Sequence, residues 1–161
     1  MKKILVCLLI VAALFSLSCK TGPKISGEVT QEKVNDALGQ IYDNYRNKLD
    51  LTGAQDYNIV HGDTLSEITR KYYGHLTDVG NAGPHNGFYF PVIMLASESE
   101  IVDPDLIVPG MKLKVPDLKR NLDNPNSRKA IKDCLNDVAY VYNKKNKPVT
   151  EEGLKALAKS L

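Results

Sequence analysis

Apolar positions along the chain fall into three kinds of pattern. Ile4 to Leu17 is an almost unbroken apolar run. Val34, Leu38, Ile41, Tyr45 and Leu49 recur at helical spacing, and so do Leu65, Ile68, Thr69 and Tyr72. Further on, Ile131, Cys134, Leu135, Val138 and Tyr142 form another helical stripe, followed by Leu154, Leu157 and Leu161. Two short stretches read instead as strands. Tyr57, Ile59 and the β-branched Val60 make one, and Met111, Leu113 and Val115, alternating with Lys112 and Lys114, make the other.

Punctuation residues set the boundaries. Thr30 opens the first helix, with Val29 and Val34 at the spacing of a hydrophobic staple. Gly62-Asp63 breaks the first strand, and Thr64-Leu65-Ser66-Glu67 has the spacing of a capping box. Pro109-Gly110 makes a turn into the second strand, and Pro116 ends it. A helix is predicted over Phe90 to Ser97, after a Gly-, Asn- and Pro-rich connection from His75 to Gly87. Asn124-Pro125-Asn126-Ser127 starts a long helix that Lys144 to Pro148 stops. A last one opens at Thr150, with Val149 and Leu154 as a staple pair.

In this order, the residues between Tyr57 and Asp117 resemble a LysM domain. The match is carried by Tyr57, Gly62-Asp63-Thr64-Leu65, Ile68, Tyr72-Tyr73-Gly74, Ile93 and Ala96. It continues through Asp103-Pro104-Asp105-Leu106-Ile107 and Pro109-Gly110 to Leu113, Val115 and Pro116. The resemblance implies an α+β fold, a βααβ unit with a two-stranded antiparallel sheet and two helices, flanked here by N- and C-terminal helices. It implies a non-catalytic peptidoglycan-binding lipoprotein of the bacterial cell envelope. Carried across residue by residue, the glycan-binding positions are Gly62, Asp63, Thr64 and Leu65 on one loop. On the other they are Asp103, Pro104, Asp105, Leu106 and Ile107. Where the family pattern has Asn after Ile93-x-x-Ala96, this chain has Ser97. The acidic run Glu98-Ser99-Glu100 follows it and puts negative charge near the groove.

A peptidoglycan or chitin-like chain offers an acetamido group, hydroxyls and one methyl per amino-sugar ring. Two adjacent loops can meet the amide with backbone donors and acceptors, and the methyl with a small apolar dent. Each net hydrogen bond contributes about 1 kcal/mol, so a shallow groove binds in the millimolar to micromolar range, where 1 mM corresponds to about −4 kcal/mol.

The N-terminus adds a targeting signal. Lys2-Lys3 precedes the apolar run, which is too short to span a bilayer comfortably. The run leads to Leu17-Ser18-Cys19, which resembles a lipoprotein signal, with Ser16 and Ser18 where Leu and Gly or Ala are commoner. In that reading residues 1–18 are removed and Cys19 is lipidated, giving a membrane partner and a periplasm-facing protein; Lys20 after the cysteine favours the outer membrane. The other reading is an ordinary signal peptide with an incidental cysteine. The expected organisation is then a flexible tether over 19–28, a helix over 29–51, the LysM-like unit over 57–117 and a helical region over 124–161.

Charge and chemistry narrow the function. Without Lys2 and Lys3, the 21 Lys and Arg fall to the same number as the 19 Asp and Glu. No basic stripe for nucleic acid is left. Trp is absent, which excludes an indole sugar platform. Cys7 leaves with the signal and Cys134 sits in a helical stripe, so no disulfide framework is expected. No Ser/His/Asp order or His-Glu-x-x-His motif appears, and His61, His75 and His85 lack metal-ligand spacing. Glu98, Glu100, Asp103 and Asp105 could pose as a glycosidase pair, but the two aspartates are accounted for as loop residues. The expectation is no catalytic residue, no metal and no cofactor. The alternative function is an assembly or scaffold lipoprotein whose unit contacts protein, or which self-associates through its helical flanks.

Overall fold

The computed structural model describes residues 22–76 and 83–161. The signal segment, Cys19 and residues 77–82 of the long connection lie outside the described residues. In chain order the elements are α1 (Gln31–Tyr45), β1 (Gln55–Asn58), α2 (Leu65–Tyr73), α3 (Phe90–Ala96), β2 (Lys112–Val115), α4 (Leu118–Asp123), α5 (Pro125–Lys144) and α6 (Pro148–Ser160). Short 3-10 turns follow α1 and precede α3. The architecture is α+β, with a small two-stranded antiparallel sheet and several helices.

β1 and β2 pair antiparallel, with Gln55 opposite Val115 and Asn58 opposite Lys112. The ladder continues past both strands: Ile59 donates to the Met111 carbonyl at 2.9 Å, and Gly110 donates to the Ile59 carbonyl at 2.9 Å. Gly110, at φ +96°, makes the tight return that closes this end, a conformation that favours glycine. The strand predicted around Tyr57 to Val60 therefore sits two residues earlier. Val60 turns outward and is 57% exposed, because its N–H goes to the Asp63 carboxylate rather than to a ladder.

Leu113 and Val115 point inward from β2, where Ile68 of α2 and Ile93 of α3 are also buried. Ser97, just past α3, is buried and clamps the sheet: its hydroxyl accepts from the Lys114 N–H at 2.9 Å. Behind this unit the flanking helices share its core. Val34, Leu38, Ile41 and Tyr45 of α1 are buried with Ile131, Leu135 and Val138 of α5, and Leu154 and Leu157 of α6 join them. Each such aliphatic side chain contributes about 1.5–3 kcal/mol on burial. A helix the length of α1 is marginal alone in water, so it is this face that holds it. The apolar stripes of α1, α5 and α6 are thus occupied inside the chain.

Three expectations change. α6 begins at Pro148, not Thr150, since proline's preset φ and missing N–H suit a first helical position; Val149 is 75% exposed and staples nothing. α4 was unforeseen, a six-residue helix capped by Asp117, whose carboxylate accepts from the Arg120 N–H at 3.0 Å. The segment expected as a flexible tether is docked where it is described. Ile25 is buried, and its N–H donates to the Tyr140 hydroxyl of α5 at 3.0 Å.

Candidate functional site

The turn between β1 and α2 is held by bonds among neighbours in sequence. One oxygen of Asp63, Oδ2, accepts from the Val60 N–H at 2.9 Å and from the Tyr57 hydroxyl at 2.8 Å. The Val60 N–H, and next the Tyr57 hydroxyl, hold the Asp63 carboxyl below the usual carboxylate range. The same hydroxyl bond raises Tyr57. Tyr57 packs edge-on against Tyr72 with ring centres 5.9 Å apart, and the Lys71 ammonium lies 4.8 Å from the Tyr57 ring centre. Thr64 then caps α2, its Oγ1 accepting from the Glu67 N–H at 3.2 Å and donating to Glu67 Oε2 at 2.9 Å. Gly62, at φ +93°, lets the chain reverse between them.

The loop before β2 is held from far away. Asp103 has a side chain only 1% exposed, and both its oxygens face the Lys145 ammonium, at 2.8 and 2.9 Å. Gln31 at the start of α1 donates to Asp103 Oδ2 at 2.8 Å, and the Asp105 N–H donates to Oδ1 at 2.9 Å. Asp105 receives the Tyr142 hydroxyl at 2.8 Å and the Lys147 ammonium at 2.8 Å, and it also pairs with Lys145. Burial pushes the Asp105 carboxyl up, but the bonds from Lys145, Lys147 and Tyr142 outweigh it and leave the group below its ordinary value. Tyr142 moves the other way, raised by its own burial and by the Asp105 charge. Its ring meets Phe90 edge-on at 5.6 Å.

Between the two lies a cleft of about 210 Å³. Of the residues predicted to bind, Asp63, Thr64, Leu65, Pro104, Asp105 and Ile107 line it. Gly62, Asp103 and Leu106 do not. Gly62 shapes the turn, Asp103 is sealed beneath the loop, and Leu106 is 58% exposed on the outside. Tyr142 of α5 and Thr150 of α6 add a third wall, and Ser66 and Phe90 complete the lining. None of these four is expected in the site from the sequence, where they read as helix-stripe, cap and helix-start positions. The signal for the third wall is the cation pair Lys145 and Lys147, which matches Asp103 and Asp105 in number and opposes them in charge but reads in sequence only as a helix stop.

The lining suits reversible binding of a small polar solute with an apolar side. Leu65, Phe90, Pro104 and Ile107 supply apolar surface beside the Thr64, Ser66 and Thr150 positions. Among the described residues no three His, Cys, Asp or Glu side chains gather in a way that could hold a metal ion. Glu98 pairs with Arg46 at 3.2 Å, and Glu100 accepts from the Lys112 N–H at 3.3 Å. Cys134 is buried in the core, and burial pushes its thiol up, away from the reactive thiolate.

Comparison with known proteins gives one relative of note. Over 103 residues the chain is 32% identical to the Potassium binding protein Kbp of Escherichia coli O6:H1 (strain CFT073), an alignment covering 60% of this chain. It spans 61% of that protein's length, under two thirds of it. No family model matches the chain. No solved structure matches it either. These findings correct the family drawn from the motifs. The assignment to a peptidoglycan-binding LysM lipoprotein family has no family model behind it, and the curated relative is named for potassium.

Proposed function

We propose that this chain is a non-catalytic binding protein whose cleft takes an N-acetylglucosamine-containing glycan, of which peptidoglycan is the natural polymer. The observation that carries the reading is the convergence of Asp63, Thr64 and Leu65 with Pro104, Asp105 and Ile107 on one cleft of about 210 Å³. That volume lies below the roughly 300–1,000 Å³ of pockets for drug-sized ligands, which suits a single sugar ring. An acetamido methyl fits the apolar side formed by Leu65, Phe90 and Ile107. The amide and hydroxyls fit the polar side. With a few net bonds of about 1 kcal/mol each, affinity for one site is weak. A lipid on Cys19, facing a polymer with many sites in the bacterial envelope, makes up the difference through effective concentration.

Pelleting the purified chain with peptidoglycan sacculi tests this. Retention competed away by N-acetylglucosamine oligomers is the expected result, and a chain left in the supernatant overturns it. Release of soluble fragments from the sacculi would overturn the non-catalytic part. The similarity to Kbp favours a second reading, a potassium-binding protein. Potassium takes oxygen ligands, and Asp63, Thr64, Ser66, Asp105 and Thr150 among the lining residues carry side-chain oxygens. Cleft resonances that move with KCl and stay still with NaCl at equal ionic strength would favour it over the glycan.

A further inference from the structure

We infer that α5 carries a second binding site, separate from the cleft, for a phosphate group held by Arg128 and Lys132. The site is a cavity of about 270 Å³ lined by Asp123, Pro125, Arg128, Lys129, Lys132 and Leu161. It shares no lining residue with the cleft between the two loops.

Three cations and one side-chain carboxylate line this cavity, and their pairing divides them. Asp123 is engaged by Lys119 within α4 at 2.8 Å, and Lys129 by Asp133 at 2.7 Å. Among the described residues, Arg128 and Lys132 have no carboxylate partner. The Arg128 side chain gives its Nε–H to the Leu122 carbonyl at 2.5 Å. Other lysines of α5 and the segment after it are not left this way: Lys145, Lys147 and Lys155 each hold a carboxylate.

The contrast with the adjacent pair is informative. Lys129 and Asp133 stand four residues apart on α5 with opposite charges, which stabilises a helix. Arg128 and Lys132 stand one position earlier at the same spacing with like charges, which repel. Lys132 is also half-buried, so water compensates its charge only in part. Helix stability alone disfavours this arrangement, and an anion supplied from outside the chain relieves it.

The donor set fits phosphate. The Leu122 carbonyl fixes Arg128 Nε and so orients the planar guanidinium, whose terminal nitrogens can take two oxygens side by side. Lys132 adds a point charge on the same face. Two unpaired positive charges match a phosphate monoester, which carries about −1.5 to −2 at pH 7. Pro125 and Leu161 give the cavity an apolar side for the group that the phosphate is attached to. A lipid headgroup and a soluble phosphate both carry this chemistry.

Two assays on the full chain test the site. The first titrates the isotope-labelled chain with sodium phosphate, and separately with sodium chloride at equal ionic strength, following the Arg128 Nε–H and the amides of Lys129 and Lys132. The second sediments the chain with vesicles of phosphatidylcholine, alone or in equal parts with phosphatidic acid. Phosphate should move these signals where chloride does not, or phosphatidic acid should raise retention. The double variant Arg128→Gln/Lys132→Gln should weaken the response by roughly tenfold or more, and Lys119→Gln should leave it within about twofold. Because the double variant removes a repelling pair, its urea midpoint should not fall. Retention without a response to inorganic phosphate assigns the lipid source, and the reverse assigns a soluble one. Equal effects of chloride and phosphate with no gain on phosphatidic acid overturn the site, as does a double variant that binds like the native chain.

Discussion

The two loops that face each other across the cleft are built on opposite principles. The β1–α2 turn is assembled from its own neighbourhood: Tyr57, Val60, Asp63, Thr64 and Glu67 satisfy one another within eleven residues. The 103–107 loop owes its shape to side chains 42 residues downstream, Lys145 and Lys147, and to Gln31, 72 residues upstream. Local bonds form as soon as the chain reverses, whereas distant ones must wait for helices to dock. One wall of the cleft should therefore survive damage to the tertiary packing, and the other should not. The flanking helices are consequently part of the cleft's construction, and removing them would leave half a site.

Lys145→Met breaks this contrast most directly. The Asp103 carboxylate would remain buried with amide donors but no cation, and breaking a buried pair by removing one partner costs about 3–5 kcal/mol. The urea midpoint should fall accordingly. Hydrogen exchange should rise at residues 103–107 while the 57–67 turn keeps most of its protection. Because replacing both partners avoids the orphaned charge, the double variant Asp103→Asn/Lys145→Met should recover much of the loss. A single-variant cost under about 1 kcal/mol, on the scale of an exposed pair, would show that the loop does not depend on its distant cation.

The same distinction between near and far governs what could be read from residues alone. The capping box at Thr64, the cap at Asn124, the turns at Gly62 and Gly110 and the strand at Lys112–Val115 involve residues a few positions apart, and each is visible as a spacing. Both loops of the cleft could be named for that reason. Tyr142 could not be assigned to the site, because in sequence it is one more apolar position on a stripe. Only the docking of α5 turns its hydroxyl to Asp105. Ile25 is a stronger instance: a bond to Tyr140, 115 residues away, orders a stretch that reads as tether. The register of β1 failed for a smaller reason, since Val60 has high strand propensity but gives its N–H to Asp63.

Two substitutions sharpen the comparison at intermediate cost. Ser97→Ala removes the hydroxyl that receives the Lys114 N–H at 2.9 Å and leaves that donor part-buried and unpaired beneath the alanine. An unsatisfied buried donor costs about 1–3 kcal/mol, this part-buried one falls at the low end, and the effect should spread to the strand that carries the distant loop back to the sheet. Thr64→Ala removes the α2 cap, worth about 1 kcal/mol. Its exchange effects should stay within the first turn of α2. Equal spreading of the two disturbances would contradict the local character of the β1–α2 turn.

Asp63→Asn is the mildest change, and pH reveals it better than a midpoint at neutrality. Asparagine's carbonyl can still accept from Val60 and Tyr57, so little stability is lost near pH 7. In the native chain the Asp63 carboxyl is held below its ordinary value by the Val60 N–H and then the Tyr57 hydroxyl. A depressed folded pKa means that the unfolded chain binds the proton more readily. The resulting stabilisation is complete above the unfolded value of about 3.9 and is lost as pH falls through the lower, folded value. Unfolding free energy measured from pH 6 downward should therefore fall more steeply in the native chain than in Asp63→Asn. Asp105, depressed in the same direction by its lysines, contributes equally to both curves and cancels in the difference. Parallel curves would mean that the turn draws nothing from the charge on Asp63, and that its carboxylate serves only as a shaped acceptor.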